Sequence, residues 1–102
     1  MYKNLAATLV AACFFLPAVQ AQSSSKASEP IKAGFVYVSP ITEAGWTKQH
    51  DEGRKAVEKA LGQQVKTMFV ADVAEGADAE RVIRDLAQQG HQIIFTPSFG
   101  YM

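Results

Sequence analysis

The chain has 102 residues, of which 48% are hydrophobic and 20% are charged, so it has the composition of an ordinary soluble globular protein and the length of one small domain. Its ten basic and ten acidic side chains cancel, and removal of residues 1–21 would take away Lys3 but no acidic residue. Neither charge balance provides the basic surface that nucleic acid or an anionic membrane attracts, so nucleic acid is not expected as a partner.

The first 21 residues have the three parts of a secretory signal peptide. Lys3 forms a short basic region, residues 5–19 are almost continuously apolar, and Val19-Gln20-Ala21 places small residues at a cleavage site. An apolar run of about 15 residues is too short for a membrane span, which needs about 20. We therefore predict export to the periplasm, with a mature chain that begins at Gln22.

One alternative concerns the single cysteine, Cys13. Val10-Ala11-Ala12-Cys13 resembles a lipobox, which would attach lipid to Cys13 and make the protein a membrane-anchored lipoprotein. Residues 14–16 are apolar, however, where a lipoprotein normally becomes polar. A mature chain that starts at Gln22 has no cysteine and can form neither a disulfide nor a thiolate metal site.

After a polar leader at residues 22–32, the sequence predicts alternating strands and helices. Short apolar runs rich in β-branched and aromatic residues predict buried strands, and apolar residues at steps of three and four predict helices. The five elements are expected in the order strand, helix, strand, helix, strand at 33–38, 47–61, 65–70, 78–89 and 92–96.

The first helix carries one apolar stripe that is predicted to face the sheet. The stripe comprises Trp46, His50, Gly53, Val57, Ala60 and Leu61. Thr47 is the expected N-cap and Gly62 the expected stop, while Asp51 and Arg54 are expected on the solvated face.

In the second helix, Val82, Ile83 and Leu86 are expected to face inward. Asp78 is the expected cap, and Gly90 ends the helix. Glu80 and Arg84 form a favourable pair one helical turn apart.

This order predicts an α/β fold, a βαβαβ parallel sheet that makes half of a doubly wound, Rossmann-like arrangement. Three parallel strands and two helices leave open edges and a small core. We therefore expect residues 33–102 to be the N-terminal part of a longer, truncated domain.

The loops that follow the strands are the expected ligand site, because ligands of such sheets bind at the carboxyl ends of the strands. Trp46 could offer a stacking face or could pack in the core, and the periodicity favours neither. A lone inward His50 is more often a core residue than a ligand contact. Phe99 and Tyr101 suit stacking better than a core position, and Asp72 is expected to be loop-forming.

Enzyme and cofactor motifs are missing from these loops. The first loop, SPITEAGW, has one glycine where a dinucleotide fold needs G-x-G-x-x-G, and no P-loop is present. Around Ser98 the nucleophile motif G-x-S-x-G lacks its first glycine. His50 and His91 have no metal-ligand spacing. No catalytic residue, metal or cofactor is therefore predicted.

Residues 33–102 resemble the start of the basic-membrane-protein family, the purine-nucleoside-receptor type of ABC-transporter substrate-binding proteins. The matching segments are GFVYVSPITEAGWTKQHDEGRKAVE at 34–58 and EGADAERVIRDLAQQGHQIIFTPSFGYM at 75–102. The resemblance implies the first lobe of a type I periplasmic binding protein. It also implies a non-catalytic role in which a purine base or nucleoside, held between two lobes, passes to an ABC permease in the inner membrane.

The resemblance also implies roles for single residues. An aromatic at the start of the first helix stacks on the base in this family, and Trp46 corresponds to it. Many members have Phe-Asn where this chain has Trp46-Thr47, and acidic residues in place of Ser39-Pro40, so a free base such as adenine is as well supported as a nucleoside. The candidate ligand-binding set is Ser39, Trp46, Thr47, His50, Ser98, Phe99, Gly100 and Tyr101.

Three alternatives stay open at this point. The same fold could present a bound solute to a membrane receptor as a sensor. It could also be a secreted hydrolase with an incomplete site, or the sequence could be a truncated product without a function.

Overall fold

The structure, a computed structural model that describes residues 28–102, has the five elements in the predicted order. They are β1 (Ile31–Val36), α1 (Trp46–Leu61), β2 (Val65–Val70), α2 (Ala77–Gln88) and β3 (Ile93–Phe95). All three strands are parallel, in the order β2-β1-β3. The predicted α/β, βαβαβ architecture is therefore confirmed, while the signal peptide and Cys13 lie outside the described residues.

The strand β1 begins two residues before the predicted start, inside the range assigned to the polar leader. Ile31 and Lys32 pair with Val65 and Lys66 of β2, so backbone pairing extends the strand beyond its apolar run. Past the end of β1, the Tyr37 amide still donates to the Val70 carbonyl, at 2.9 Å. Backbone hydrogen bonds between the first two strands thus continue as far as Tyr37, at the edge of the sheet where the loops begin.

One face of the sheet is covered by α2 as the sequence predicts. Leu86 is buried against Val36, and Val82 and Ile83 pack around them. Leu86 also approaches Gly34 so closely that a Cβ there would lie 3.1 Å from its Cδ1 atom. The glycine therefore allows the helix to approach the strand.

The predicted capping role of Asp78 is wrong. α2 begins at Ala77 after Gly76, whose φ of +93° is accessible to glycine, and no side chain caps the helix. Asp78 instead lies exposed in the first turn, 3.6 Å from Arg81. An acidic side chain there still interacts favourably with the helix dipole.

The opposite face of the sheet is covered by α1, and here the predicted orientation is wrong. Thr47, Asp51 and Arg54 are its buried residues, whereas Val57 and Leu61 of the apolar stripe are exposed. The Tyr37 hydroxyl donates to Asp51 Oδ1 at 3.3 Å, and Arg54 Nε donates to the same oxygen at 2.8 Å. A network of polar side chains, and not an apolar stripe, therefore holds this helix on the sheet.

Further contacts complete the burial of Arg54. Its Nη1 donates to Thr67 Oγ1 of β2 at 3.0 Å and to Glu58 Oε1 at 3.3 Å, and its guanidinium lies 4.7 Å from the ring centre of Phe69. No buried side-chain nitrogen or oxygen among residues 28–102 lacks a hydrogen-bond partner. The network is thus fully paired, which a charged group in this position requires.

No helix among residues 28–102 combines the length and the apolar character that crossing a membrane requires.

Candidate functional site

The loops that follow β1 and β3 form a cleft at the carboxyl edge of the sheet, which we name the carboxyl-edge cleft. It has a volume of about 490 Å³. Its lining residues are Val38, Trp46, Thr96, Pro97, Ser98, Phe99 and Met102. Most of these side chains are apolar or aromatic, so the walls suit a flat apolar surface better than a highly polar one.

Trp46 forms one wall of the carboxyl-edge cleft. The residue is 64% exposed, so it is not part of the core. Its indole Nε1 donates to the Pro97 carbonyl oxygen at 2.7 Å, and the His50 ring stands edge-on to it at 4.8 Å between ring centres. These two contacts hold the indole plane while leaving much of its surface free.

The start of α1 sets the position of Trp46. Gly45 precedes it with a φ of +103°, a conformation that residues with a Cβ rarely adopt. Thr47 is buried, and its Oγ1 shares a hydrogen bond of 2.6 Å with Ser39 Oγ. Thr47 is therefore not the N-cap that the sequence predicts, and its hydroxyl ties the first loop to the first helical turn.

The buried ion pair in α1 fixes the charge states of the groups between this helix and the sheet. Burial alone would raise the pKa of Asp51, but hydrogen bonds and charges from Arg54 and Lys55 outweigh it and hold this pKa below its usual value. Burial, followed by the charge of Asp51, raises the pKa of Tyr37 to about 12. Asp51 thus stays ionised and Tyr37 stays protonated at neutral pH.

The chain after β3, residues 96–102, is named loop three and forms another wall of the cleft, and the loop after β2, residues 71–76, is named loop two. Phe99 is 88% exposed and lines the cleft, and Ser98 lies beside it, half-buried. Ser98 Oγ donates to Glu75 Oε1 in loop two at 2.5 Å. This hydrogen bond therefore connects the loops after β2 and β3.

Gly100 and Tyr101 lie away from the carboxyl-edge cleft. They line a second cavity, of about 660 Å³, beside α2. The Tyr101 hydroxyl donates to the Val73 carbonyl at 2.6 Å, and its ring packs on the apolar cluster under α2. Burial, and then the charge of Glu75, raise the pKa of Tyr101, so its hydroxyl remains a donor at neutral pH.

The structure thus brings together some of the predicted site residues and separates others. Trp46, Ser98 and Phe99 line the cleft, and His50 supports Trp46. Ser39 and Thr47 bond to each other behind the wall. Asp72 has the loop-forming role that was predicted, since its φ is +57° and its amide donates to the Ser39 carbonyl.

Sequence reasoning missed five residues of this site. Val38, Thr96, Pro97 and Met102 line the cleft, and Glu75 holds Ser98. Thr96 and Pro97 directly follow β3, and the rule that ligands bind at strand ends indicates this loop but not which of its residues line the cleft. Glu75 lies 23 positions from Ser98 in sequence, and no local pattern indicates their contact.

The residues that line the carboxyl-edge cleft offer groups suited to binding a solute. Among residues 28–102, no three or more His, Cys, Asp or Glu side chains are grouped to hold a metal ion. What the cleft offers is an aromatic plane, an apolar wall and the hydroxyls of Thr96 and Ser98. Such a surface can hold a flat solute by stacking and fix its orientation through a few hydrogen bonds.

Comparison with known proteins gives matches over the same region. A family model described as ABC transporter substrate-binding protein, PnrA-like, matches residues 31–102. A purine-binding protein from Brucella abortus is 52% identical over 79 residues, which are 78% of this chain and 23% of that protein. A candidate ABC transporter glucose-binding protein from Haloferax volcanii, TsgA13, is 37% identical over 73 residues, or 72% of this chain and 18% of that protein. The chain spans about a quarter or less of the length of these relatives.

Proposed function

Since this chain belongs to the family of PnrA-like ABC transporter substrate-binding proteins, we propose that it contributes one lobe of a protein that binds a purine outside the cytoplasm. The purine, a free base such as adenine or a nucleoside, is held between two lobes and delivered to an ABC permease in the inner membrane. The role is binding and release, without catalysis.

The observation that carries this proposal is the exposed indole of Trp46 on the wall of the carboxyl-edge cleft. A purine ring stacked on an aromatic side chain contributes roughly 1–3 kcal/mol to binding. Because Trp46 is held by Pro97 and His50, little conformational freedom is lost when the ligand binds. The family resemblance implies a base-stacking aromatic at this same position, and this supports the proposal.

A purine suits the described wall better than a hexose does. A sugar carries a hydroxyl on most of its carbons, and each one that is buried needs a hydrogen-bond partner. The polar side chains that line the cleft are Thr96 and Ser98, with the Trp46 N–H already donated to Pro97. The name of the Brucella relative supports the same ligand class.

The proposal can be tested by isothermal titration calorimetry on the protein expressed from its own gene. Adenine, adenosine and guanosine are the test ligands, and glucose represents the other relative. We expect saturable binding of at least one purine and no binding of glucose. Tight binding of glucose alone would overturn the purine assignment.

The same samples test whether the protein acts without catalysis. Adenosine incubated with the protein should be recovered intact by chromatography. Release of free adenine in proportion to protein concentration would favour a secreted hydrolase.

A further inference from the structure

Glu75 reaches from the loop after β2 to Ser98, one of the residues that line the site. Its Oε1 accepts the hydroxyl hydrogen of Ser98 at 2.5 Å, and Ser98 lines the carboxyl-edge cleft. A carboxylate acceptor makes this hydrogen bond stronger than one between neutral groups. The Ser98 hydroxyl is therefore held in one rotational state.

Space for the Glu75 carboxylate exists because residue 100 is glycine. A Cβ at Gly100 would overlap the carboxylate group of Glu75. The backbone of Gly100 is not in the left-handed region, so freedom of φ does not explain the glycine. What the missing side chain provides is room for Glu75 beside Ser98.

A hydroxyl has one hydrogen to donate and two lone pairs that accept. With its hydrogen on Glu75, Ser98 can only accept from a ligand. The indole N–H of Trp46, another donor at the wall of the cleft, is on the Pro97 carbonyl. Neither group therefore has a hydrogen left to donate to a ligand, and Ser98 can still accept one.

We propose that Glu75 is a positioning residue that makes Ser98 an obligate acceptor, so that the site selects flat heteroaromatic ligands presenting an N–H toward loop three. This inference rests on the proposed purine-binding function and adds which ligands the site prefers. Glu75 acts through Ser98 and need not touch the ligand.

Matched pairs of ligands test the selectivity. Adenine, 9-methyladenine and N6,N6-dimethyladenine differ in which N–H is replaced by methyl groups. We expect the native protein to bind adenine at least tenfold more tightly than one of the two methylated analogues. In the Glu75→Ala variant the Ser98 hydroxyl can turn and donate, so this preference should fall several-fold, with the melting temperature unchanged.

Four further variants separate positioning from loss of charge or loss of fold. Gly100→Ala displaces the flexible Glu75 side chain without changing it and should reproduce the effect of Glu75→Ala. In a Ser98→Ala background, Glu75→Ala should produce no further change in the ratio. Asp78→Asn removes an exposed negative charge next to loop two and should leave the ratio at the native value.

The possible outcomes distinguish the two proposals. If a purine binds but the adenine preference is the same in Glu75→Ala and Gly100→Ala as in the native protein, the role of Glu75 is wrong and the proposed function stands. If the adenine preference differs between Ser98→Ala and the variant that combines Ser98→Ala with Glu75→Ala, Glu75 does not act through Ser98. If neither the adenine series nor adenosine or guanosine binds the native protein, both proposals fail.

Discussion

Trp46 is the residue on which the proposed ligand site depends most. A tryptophan at the head of an amphipathic helix can be a core residue or a platform, and its sequence position does not separate these. Its exposure of 64% excludes a core role within the described residues. Its replacement should therefore affect binding far more than folding.

Trp46→Ala should weaken the binding of adenine by about ten- to a hundredfold, because stacking on a base contributes roughly 1–3 kcal/mol. Trp46→Phe should keep the stacking and lose the hydrogen bond to Pro97, which costs about 0.5–1.5 kcal/mol. Its affinity should therefore lie between those of the native protein and the alanine variant. Calorimetric titration with a melting curve of each variant measures both effects.

Leu61→Ala is the matched control for Trp46, since Leu61 is an exposed apolar residue at the other end of α1. It should leave adenine affinity at the native value. Native affinity in Trp46→Ala, together with a steep fall in its melting temperature, would remove Trp46 from the site. Phe99 would then be the stronger candidate for stacking.

At the scale of elements, α1 is held on the sheet by an ion pair that is nearly inaccessible to water. Asp51 is 2% exposed, and Arg54 is 8% exposed. Such a pair adds little over a well-packed apolar contact, but removing one partner leaves a buried charge without compensation. The helix is therefore sensitive to loss of either member.

Asp51→Ala should lower the free energy of unfolding by about 3–5 kcal/mol, because Arg54 would keep its buried charge without a carboxylate. Urea unfolding of the protein as its gene expresses it measures the change. Glu52→Ala is the control, since the neighbouring Glu52 is an exposed carboxylate paired with Lys48. It should leave the unfolding midpoint close to the native one.

The same carboxylate gives a pH dependence whose sign follows from its lowered pKa. The contribution of Asp51 is present above its unfolded pKa of about 4 and is lost as the pH falls through the lower folded value. The native protein should therefore lose stability below about pH 4 more steeply than Asp51→Ala does. Parallel pH profiles of the two proteins would contradict the ion-pair account.

The sequence predicts the elements well where apolar residues determine their packing. β2 has the predicted bounds, and Leu86 of α2 lies where its periodicity places it. The orientation of α1 could not be predicted in this way, because periodicity assumes that the apolar stripe faces the core. Whether Asp51 and Arg54 can be buried depends on Tyr37, just past the end of β1, and on Thr67 of β2. These two residues meet the helix only in the folded chain.

At the scale of the whole molecule, the site can be predicted to the level of loops but not of side-chain contacts. Parallel strands bring their carboxyl ends to one edge, and this places Trp46 near loop three. The bonds from Trp46 to Pro97 and from Ser98 to Glu75 join residues far apart in sequence. They depend on the exact loop paths, which composition and periodicity do not define.

The whole protein is also expected to be exported, as Lys3 and the apolar run at 5–19 predict. Mass spectrometry of the protein from the periplasmic fraction should find an N-terminus at Gln22. A diacylglyceryl group on Cys13 would show a lipoprotein instead. An intact Met1 in a cytoplasmic fraction would contradict export.

The hydrogen bond from Trp46 to Pro97 has a spectroscopic consequence. Trp46 is the single tryptophan of this chain. Its indole is anchored at one edge and open at the face where a base would stack. The tryptophan emission of these residues therefore comes from one fluorophore at one place, and its quenching by a stacked purine would report the fraction of occupied sites without any attached dye.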